Sequence, residues 1–295
     1  MTGAAGRAAS ACQAGPHPLG GSAAVPGRRA ANTAQPAFVL HQWSWSETSL
    51  ILDLFTREHG RIAVVAKGAK RPYSQLRPVL MPFQRLLVLT TKPKGDGSGA
   101  GDGGADILTL RTAEYAGAGA ALPPARLMAG FYLNELLLKL LARGDAHATL
   151  FDAYADALLA LAAADDEAAL RAFELVLLQE TGVLPELGRI TSTQAAVQPA
   201  LHYQLQADSG LAAAPPGDAA LPGTACLALQ AALRQHDLPA LRQACQPCLP
   251  ALRLQVRVLL AYHLGSPLLR TRQMMLDVRR LLDPRTPVQP TAGPP

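Results

Sequence analysis

The sequence predicts an α+β protein in which a small β-barrel is followed by an α-helical domain. Three observations carry that reading. Short strand-like runs separated by turn residues fill residues 37–115. After Pro123-Pro124 the apolar period becomes helical and stays so to residue 283. Alanine and leucine are abundant, and both favour helix. A chain of 295 residues has the length for two domains and a buried core.

Residues 1–36 are rich in Ala, Gly and Pro and lack periodicity, so they read as a disordered extension. The composition has something of an organelle transit peptide, but plain disorder is the preferred reading. No apolar h-region marks a secretory signal. A first strand runs from Ala37 to Trp45, and Ser46-Glu47 make a turn. Thr48 to Phe55 form the second strand, where Leu50, Leu52 and Leu54 alternate against Ile51, Asp53 and Phe55. Gly60 closes a hairpin in the left-handed conformation that short loops use. Arg61 to Lys67 supply a third strand, Phe83 to Thr91 a fourth and Ile107 to Arg111 a fifth. A helical turn within Ser74–Leu80 is interposed after the third strand. Asp96–Gly104 is a flexible Gly/Asp loop. This strand order matches an OB-fold over residues 37–115, a common nucleic-acid scaffold.

The helical domain covers residues 122–283. Its first helix, Arg126–Arg143, is mostly buried, with Glu135, Lys139 and Arg143 along a narrow polar edge. Helices follow at Thr149–Ala163 and Asp165–Thr181, with Asp165 as cap and Gly182 as terminator. Residues 183–223 read as an irregular insertion with one candidate strand, Leu201–Gln206. Helices resume at Thr224–Gln235, Pro239–Ala244, Leu249–Leu264 and Leu269–Leu282. The last carries Met274, Val278, Leu281 and Leu282 as an expected buried stripe. Residues 284–295 form a loose proline-rich tail.

Charge is unevenly spread. Residues 37–115 hold ten basic and seven acidic side chains, residues 116–250 seven and thirteen, and residues 251–295 seven and two. Two basic regions flanking an acidic middle suggest polyanion contacts. From Arg57 to Lys94 the basic residues are opposed by Glu58 alone. Arg57, Arg61, Lys67, Lys70, Arg71, Arg77, Arg85 and Lys92 are therefore candidate phosphate contacts. Trp43, Trp45, Phe55, Tyr73 and Phe83 lie among them. Phe55 and Phe83 suit the core, and Tyr73, in the polar loop, is the best candidate to stack on a base. A second cluster, Arg253, Arg257, Arg272, Leu276 and Arg279, has the chemistry to hold an acidic, apolar-ended peptide.

No P-loop, HExxH or nucleophile elbow occurs, and the seven histidines make no ligand-spaced pair. Gly99–Gly104 matches GxGxxG but precedes a strand, so no helix N-terminus is there to receive a pyrophosphate. Cys245-Gln246-Pro247-Cys248 has no second pair to complete a zinc site, and reads as two buried thiols in a helix corner. The chain is read as a non-enzymatic protein without a cofactor, in a reducing cytoplasm. No apolar run reaches the roughly 18 residues of a membrane span. Two other classes remain in view. One is an adaptor whose basic barrel takes acidic peptides. The other is a nucleic-acid-processing enzyme, for which no metal-binding carboxylate cluster is present.

The runs Glu47–Leu52, Leu54–Arg61 and Val64–Pro72 closely resemble the N-terminal signature of the RecO family of recombination mediators. Leu80–Phe83, Phe131–Leu137, Phe173-Glu174, Gly182–Pro185 and Leu264–Arg272 extend the resemblance over residues 37–283, with Thr271 where the family usually has serine. The resemblance implies binding of single- and double-stranded DNA, annealing of complementary strands, and contact with the acidic tail of single-stranded-DNA-binding protein. It implies loading of RecA together with RecR, and a cytoplasmic, nucleoid-associated location. Many members carry a four-cysteine zinc module after the Gly-x-Leu-Pro element. Here no cysteine lies between Leu184 and Leu221, so the zinc is not carried over.

Overall fold

Alternation of side chains along β1 (Gln35–Ser44) explains how one element serves two cores. Ala37 and Val39 point into a barrel, whereas Phe38 and Leu40 point out of it into the helical domain. The structure, a computed structural model, describes residues 34–91, 107–117, 121–163, 166–265 and 269–282. The expectations for residues 1–33, Lys92, the Asp96–Gly104 loop, Asp165, the tail and the side chains of Arg279 and Leu282 lie outside the described residues.

The barrel closes through β2 (Leu50–Thr56), β3 (Gly60–Ala66), β4 (Leu86–Thr91) and β5 (Leu108–Tyr115), in the order β1-β2-β3-β5-β4. Neighbours are antiparallel except β3 and β5. Five strands closed into a barrel, with a helical turn after the third, are the OB-like architecture expected from the sequence. Leu52, Leu54, Val64, Leu86 and Val88 fill its interior. The interposed turn is the short helix α1 (Leu76–Val79), whose Leu76 and Val79 pack on that interior with buried Ala69 and Leu80.

Seven further helices follow: α2 (Leu127–Leu140), α3 (Ala148–Ala162), α4 (Asp166–Glu180), α5 (Gly223–Gln235), α6 (Leu238–Cys245), α7 (Leu249–His263) and α8 (Arg270–Leu282). Phe38 and Phe55 leave the barrel to meet Phe151 of α3 at ring distances of 5.2 and 5.4 Å. These aromatic packings join barrel to helices. Asn134 of α2 completes the joint: its amide donates to the Leu40 carbonyl and accepts from the Tyr154 hydroxyl.

Three expectations change. Phe83 precedes β4 rather than belonging to it, with φ at +66° and its ring against Phe131. A β-carbon at Gly130 would stand 2.8 Å from that ring, so glycine lets α2 approach. The insertion is also more regular than expected. β6 (His202–Gln206), β7 (Gly210–Ala214) and β8 (Leu221–Pro222) form a three-stranded sheet, with Tyr203, Leu205, Leu211 and Leu221 buried against the helices. β7 is largely alanine, which gave no alternation to read. Finally, Met274, Val278 and Leu281 of α8 are exposed rather than buried. α8 packs on α2 through its first turn, where Glu135 accepts from the backbone N–H of Arg270 and Thr271 and from the Thr271 hydroxyl.

Candidate nucleic-acid interface

The strand register divides the basic residues of the barrel into two groups. The turn from β2 to β3 faces the helical domain, and the loops beyond Leu50 and Ala66 lie at the opposite end. At the helical end Arg57 makes a two-pronged ion pair with Asp152 of α3, at 2.9 and 3.2 Å. Asp152 raises the Arg57 pKa through that bond. Arg61 is half-buried and donates to the Leu138 carbonyl. Burial lowers its pKa, neighbouring Asp53 raises it, and Arg143 lowers it further. Arg143 pairs with buried Asp53 at 3.2 Å. Arg85 sits 6.0 Å from the Phe151 ring centroid. Arg57, Arg61, Arg85 and Arg143 all serve the joint between barrel and helices.

The other end is different. Lys67, Lys70, Arg71, Tyr73 and Arg77 are exposed, Tyr73 by 95%. Lys67, Arg71 and Arg77 have no acidic partner among the described residues. Two loops build this end. In the β1–β2 turn the Ser46 hydroxyl accepts from the backbone N–H of Thr48 and Ser49. The loop after β3 is fastened to that turn twice: Lys70 donates its backbone N–H to the Thr48 carbonyl and its ammonium to the Ser46 carbonyl, both at 2.9 Å. Lys70 is thus both a charge and a staple. Glu47 is the one acid on this turn.

Trp43 and Trp45, noted among the aromatics of the basic stretch, and Arg111 were not among the candidate contacts, and the structure brings them to this surface. Trp43 is paired with Ile51, Ile51 with Val65, and Val65 with Thr109, which puts a row of outward side chains across β1, β2, β3 and β5. Trp43 is 42% exposed and Trp45, in the turn, 65%. Arg111, two residues beyond Thr109 on the same outward face, is also exposed. The strand pattern alone does not say which side of the barrel Trp43 takes; the register with Ile51 puts it outside, and Trp45 is exposed in the turn beyond β1. The outer face of strands two and three, with the loop between strands one and two, is where OB-folds receive oligonucleotides.

The C-terminal arginines come together as well. A cleft of about 750 Å³ opens between α2, α4, α7 and α8. Arg253, Arg257, Arg272 and Leu276 all line it, with Arg171 and Tyr132. Burial lowers the Arg257 pKa, and so do the like charges of Arg272, Arg171 and Arg253. Glu167 offsets Arg253 at 3.4 Å. Beneath the cleft, Glu174 is fully buried and accepts from Arg171 and from the Tyr132 hydroxyl. Burial pushes its carboxyl up, against the pull of Arg171 and Tyr132. Clustered guanidinium groups beside apolar walls suit a carboxylate-bearing, apolar ligand.

Cys245 and Cys248 are buried at the corner between α6 and α7, with Cys226 also in that core. Burial pushes the Cys226 thiol up to about 12 and the Cys248 thiol up to about 11, and raises Cys245 further. Protonated thiols are poor nucleophiles and poor metal ligands. Among the described residues no group of three or more His, Cys, Asp or Glu side chains is arranged to hold a metal ion. No described helix is long and apolar enough to cross a membrane.

Comparison with known proteins agrees with this architecture. Residues 31–99 match the model for the recombination protein O N-terminal domain, and residues 123–272 the model for the C-terminal domain. DNA repair protein RecO of Acidovorax ebreus is 48% identical over 262 residues, covering 84% of this chain and 97% of the relative. RecO of Verminephrobacter eiseniae is 48% identical over 255 residues, covering 84% and 96%. RecO of Paracidovorax citrulli is 44% identical over 274 residues, covering 84% and 97%. With a five-stranded barrel, a helical domain and both family models matched in order, the chain belongs to the RecO family.

Proposed function

We propose that this protein mediates DNA repair and homologous recombination without catalysis. In this reading the barrel, residues 37–115, binds single- and double-stranded DNA through its phosphates. One basic surface then holds two complementary strands close and screens their repulsion, so they anneal. The observation that supports the reading best is the unopposed charge of Lys67, Arg71 and Arg77 on a stapled loop at the free end of an OB-like barrel. Arg57, Arg61 and Arg85 act in the joint between barrel and helices.

The arginine-lined cleft takes the acidic tail of single-stranded-DNA-binding protein, with the apolar walls receiving the end of that tail. RecR joins the assembly, and RecA is loaded onto the strand so exposed. The place of action is the cytoplasm, at the nucleoid.

Labelled single-stranded DNA titrated with the full chain at low salt tests the first element. Saturable binding is expected, and its absence refutes the reading. Incubating DNA with the protein and magnesium tests the non-enzymatic assignment, which any cleavage contradicts. A peptide with an acidic, apolar C-terminus tests the cleft. It should bind the native chain and lose at least tenfold in affinity to Arg257→Glu, since a buried charge pair turns from attraction to repulsion.

A further inference from the structure

The two tryptophans of this chain, Trp43 and Trp45, both stand exposed at the end of the barrel away from the helical domain. A contiguous exposed apolar patch rimmed by polar side chains marks an interaction site. The ring of Trp43 and the backbone of Trp45 are both held. His41 meets Trp43 in a T-shaped contact, with ring centroids 4.4 Å apart. Trp45 donates its backbone N–H to the Ser49 carbonyl at 3.1 Å, inside the turn that Lys70 fastens to the next loop. Ile51 and Val65 continue the apolar strip beside Trp43. Basic side chains border it: Lys67 follows Val65 by two residues on the outward face, and Arg71 and Arg77 lie in the adjoining loop. Glu47 is the one acid of the Ser46–Ser49 turn.

An apolar aromatic strip bordered by cations fits a strand that is anionic along one edge and aromatic along the other. Unpaired nucleic acid has that chemistry. In a duplex the bases are already stacked on each other and paired, so an indole outside the helix gains nothing from them. We propose that Trp43 and Trp45, with Tyr73 in the neighbouring loop, form a stacking platform for the bases of single-stranded DNA. This inference rests on the DNA-binding reading of the same surface and adds the mode of contact. It also supplies a route for product release. When a complementary strand pairs with the bound one, the bases turn inward and leave the platform. The duplex is then held by phosphate contacts alone, and more weakly.

The test uses intrinsic fluorescence, since any tryptophan signal comes from these two residues. In the full chain at low salt, an unlabelled oligothymidine should quench the emission. Adding the complementary oligoadenine should restore it as the duplex forms. The double variant Trp43→Ala/Trp45→Ala should bind single-stranded DNA at least about tenfold more weakly, from stacking worth 1–3 kcal/mol per base. Duplex binding should change by less than about threefold. Trp43→Phe/Trp45→Phe keeps the aromatic faces and should retain most of the single-strand affinity, which separates loss of stacking from loss of fold. Binding without quenching, or equal losses for single strand and duplex in a variant with an unchanged circular dichroism spectrum, overturns the platform and leaves phosphate binding intact. No binding of either DNA at low salt defeats the DNA-binding reading itself.

Discussion

At the scale of single residues, side chains set close together in sequence do separate jobs. In Tyr132-Leu133-Asn134-Glu135, the tyrosine donates to buried Glu174, Leu133 fills the core, Asn134 bonds to β1, and Glu135 caps α8. The Thr271 hydroxyl donates to Glu135 at 2.7 Å, a bond that serine would make equally, so the change at this position is mild. Burial pushes the Glu135 carboxyl up, but the hydrogen bonds from Thr271, Arg270 and Lys139 outweigh it and leave the pKa lowered. A carboxyl whose folded pKa lies below its ordinary value stabilises the fold above that ordinary value. The contribution is lost as pH falls through the folded value. Glu135→Gln should therefore cost about 1–2 kcal/mol at neutral pH, the worth of hydrogen bonds to a charged group. The melting-temperature gap to the native chain should narrow as the pH is lowered below 4, and a gap that widens there would contradict the assignment. Gly60 is a second sensitive position. Its φ is +60°, and a β-carbon there would lie 1.6 Å from the Asp145 carbonyl oxygen. Gly60→Ala should destabilise the protein by at least about 2 kcal/mol in denaturant unfolding, since both the left-handed backbone and the close approach are lost.

At the scale of elements, the sequence was informative where a pattern had one cause. The alternation of Leu50, Leu52 and Leu54 against Ile51, Asp53 and Phe55 gave β2 directly. Gly60 gave the hairpin, because few residues other than glycine adopt its backbone angles. Where a pattern had two causes the reading went astray. The apolar row on α8 says which face could be buried, but not that a neighbour exists to bury it. The basic residues were equally ambiguous. The partner of Arg57 is Asp152, which lies 95 residues away and which no local pattern could supply. The loop from Lys67 to Arg77 was legible as a solvated basic segment, and its attachment through Lys70 to the Ser46 turn was not. The thiols of Cys245 and Cys248, read from the sequence as buried, and that of Cys226, which the structure adds, carry a prediction of their own. Under native conditions Cys226, Cys245 and Cys248 should resist alkylation at neutral pH and react on unfolding, measured by mass spectrometry. Rapid native labelling of any of the three would contradict their burial.

At the scale of the molecule, barrel and helices share a core through Phe38, Phe55, Phe83 and the α3 aromatics, so the barrel is backed on one side and open at the other. That asymmetry sorts the charges. Arginines near the helices find carboxylates or carbonyls, and the cations at the far end face water. The central claim is that this far end binds DNA through its phosphates. The most direct measurement is the affinity for single-stranded DNA across a series of salt concentrations. Each phosphate neutralised on a single strand contributes about −0.7 to the slope of log affinity against log salt. The native chain should show a steep negative slope reflecting several phosphates. Arg71→Glu/Arg77→Glu, which leaves the Lys70 staple in place, should weaken binding and flatten that slope by about 1.4, the share of two contacts. An unchanged slope in the variant, or an affinity of the native chain indifferent to salt, would contradict the account.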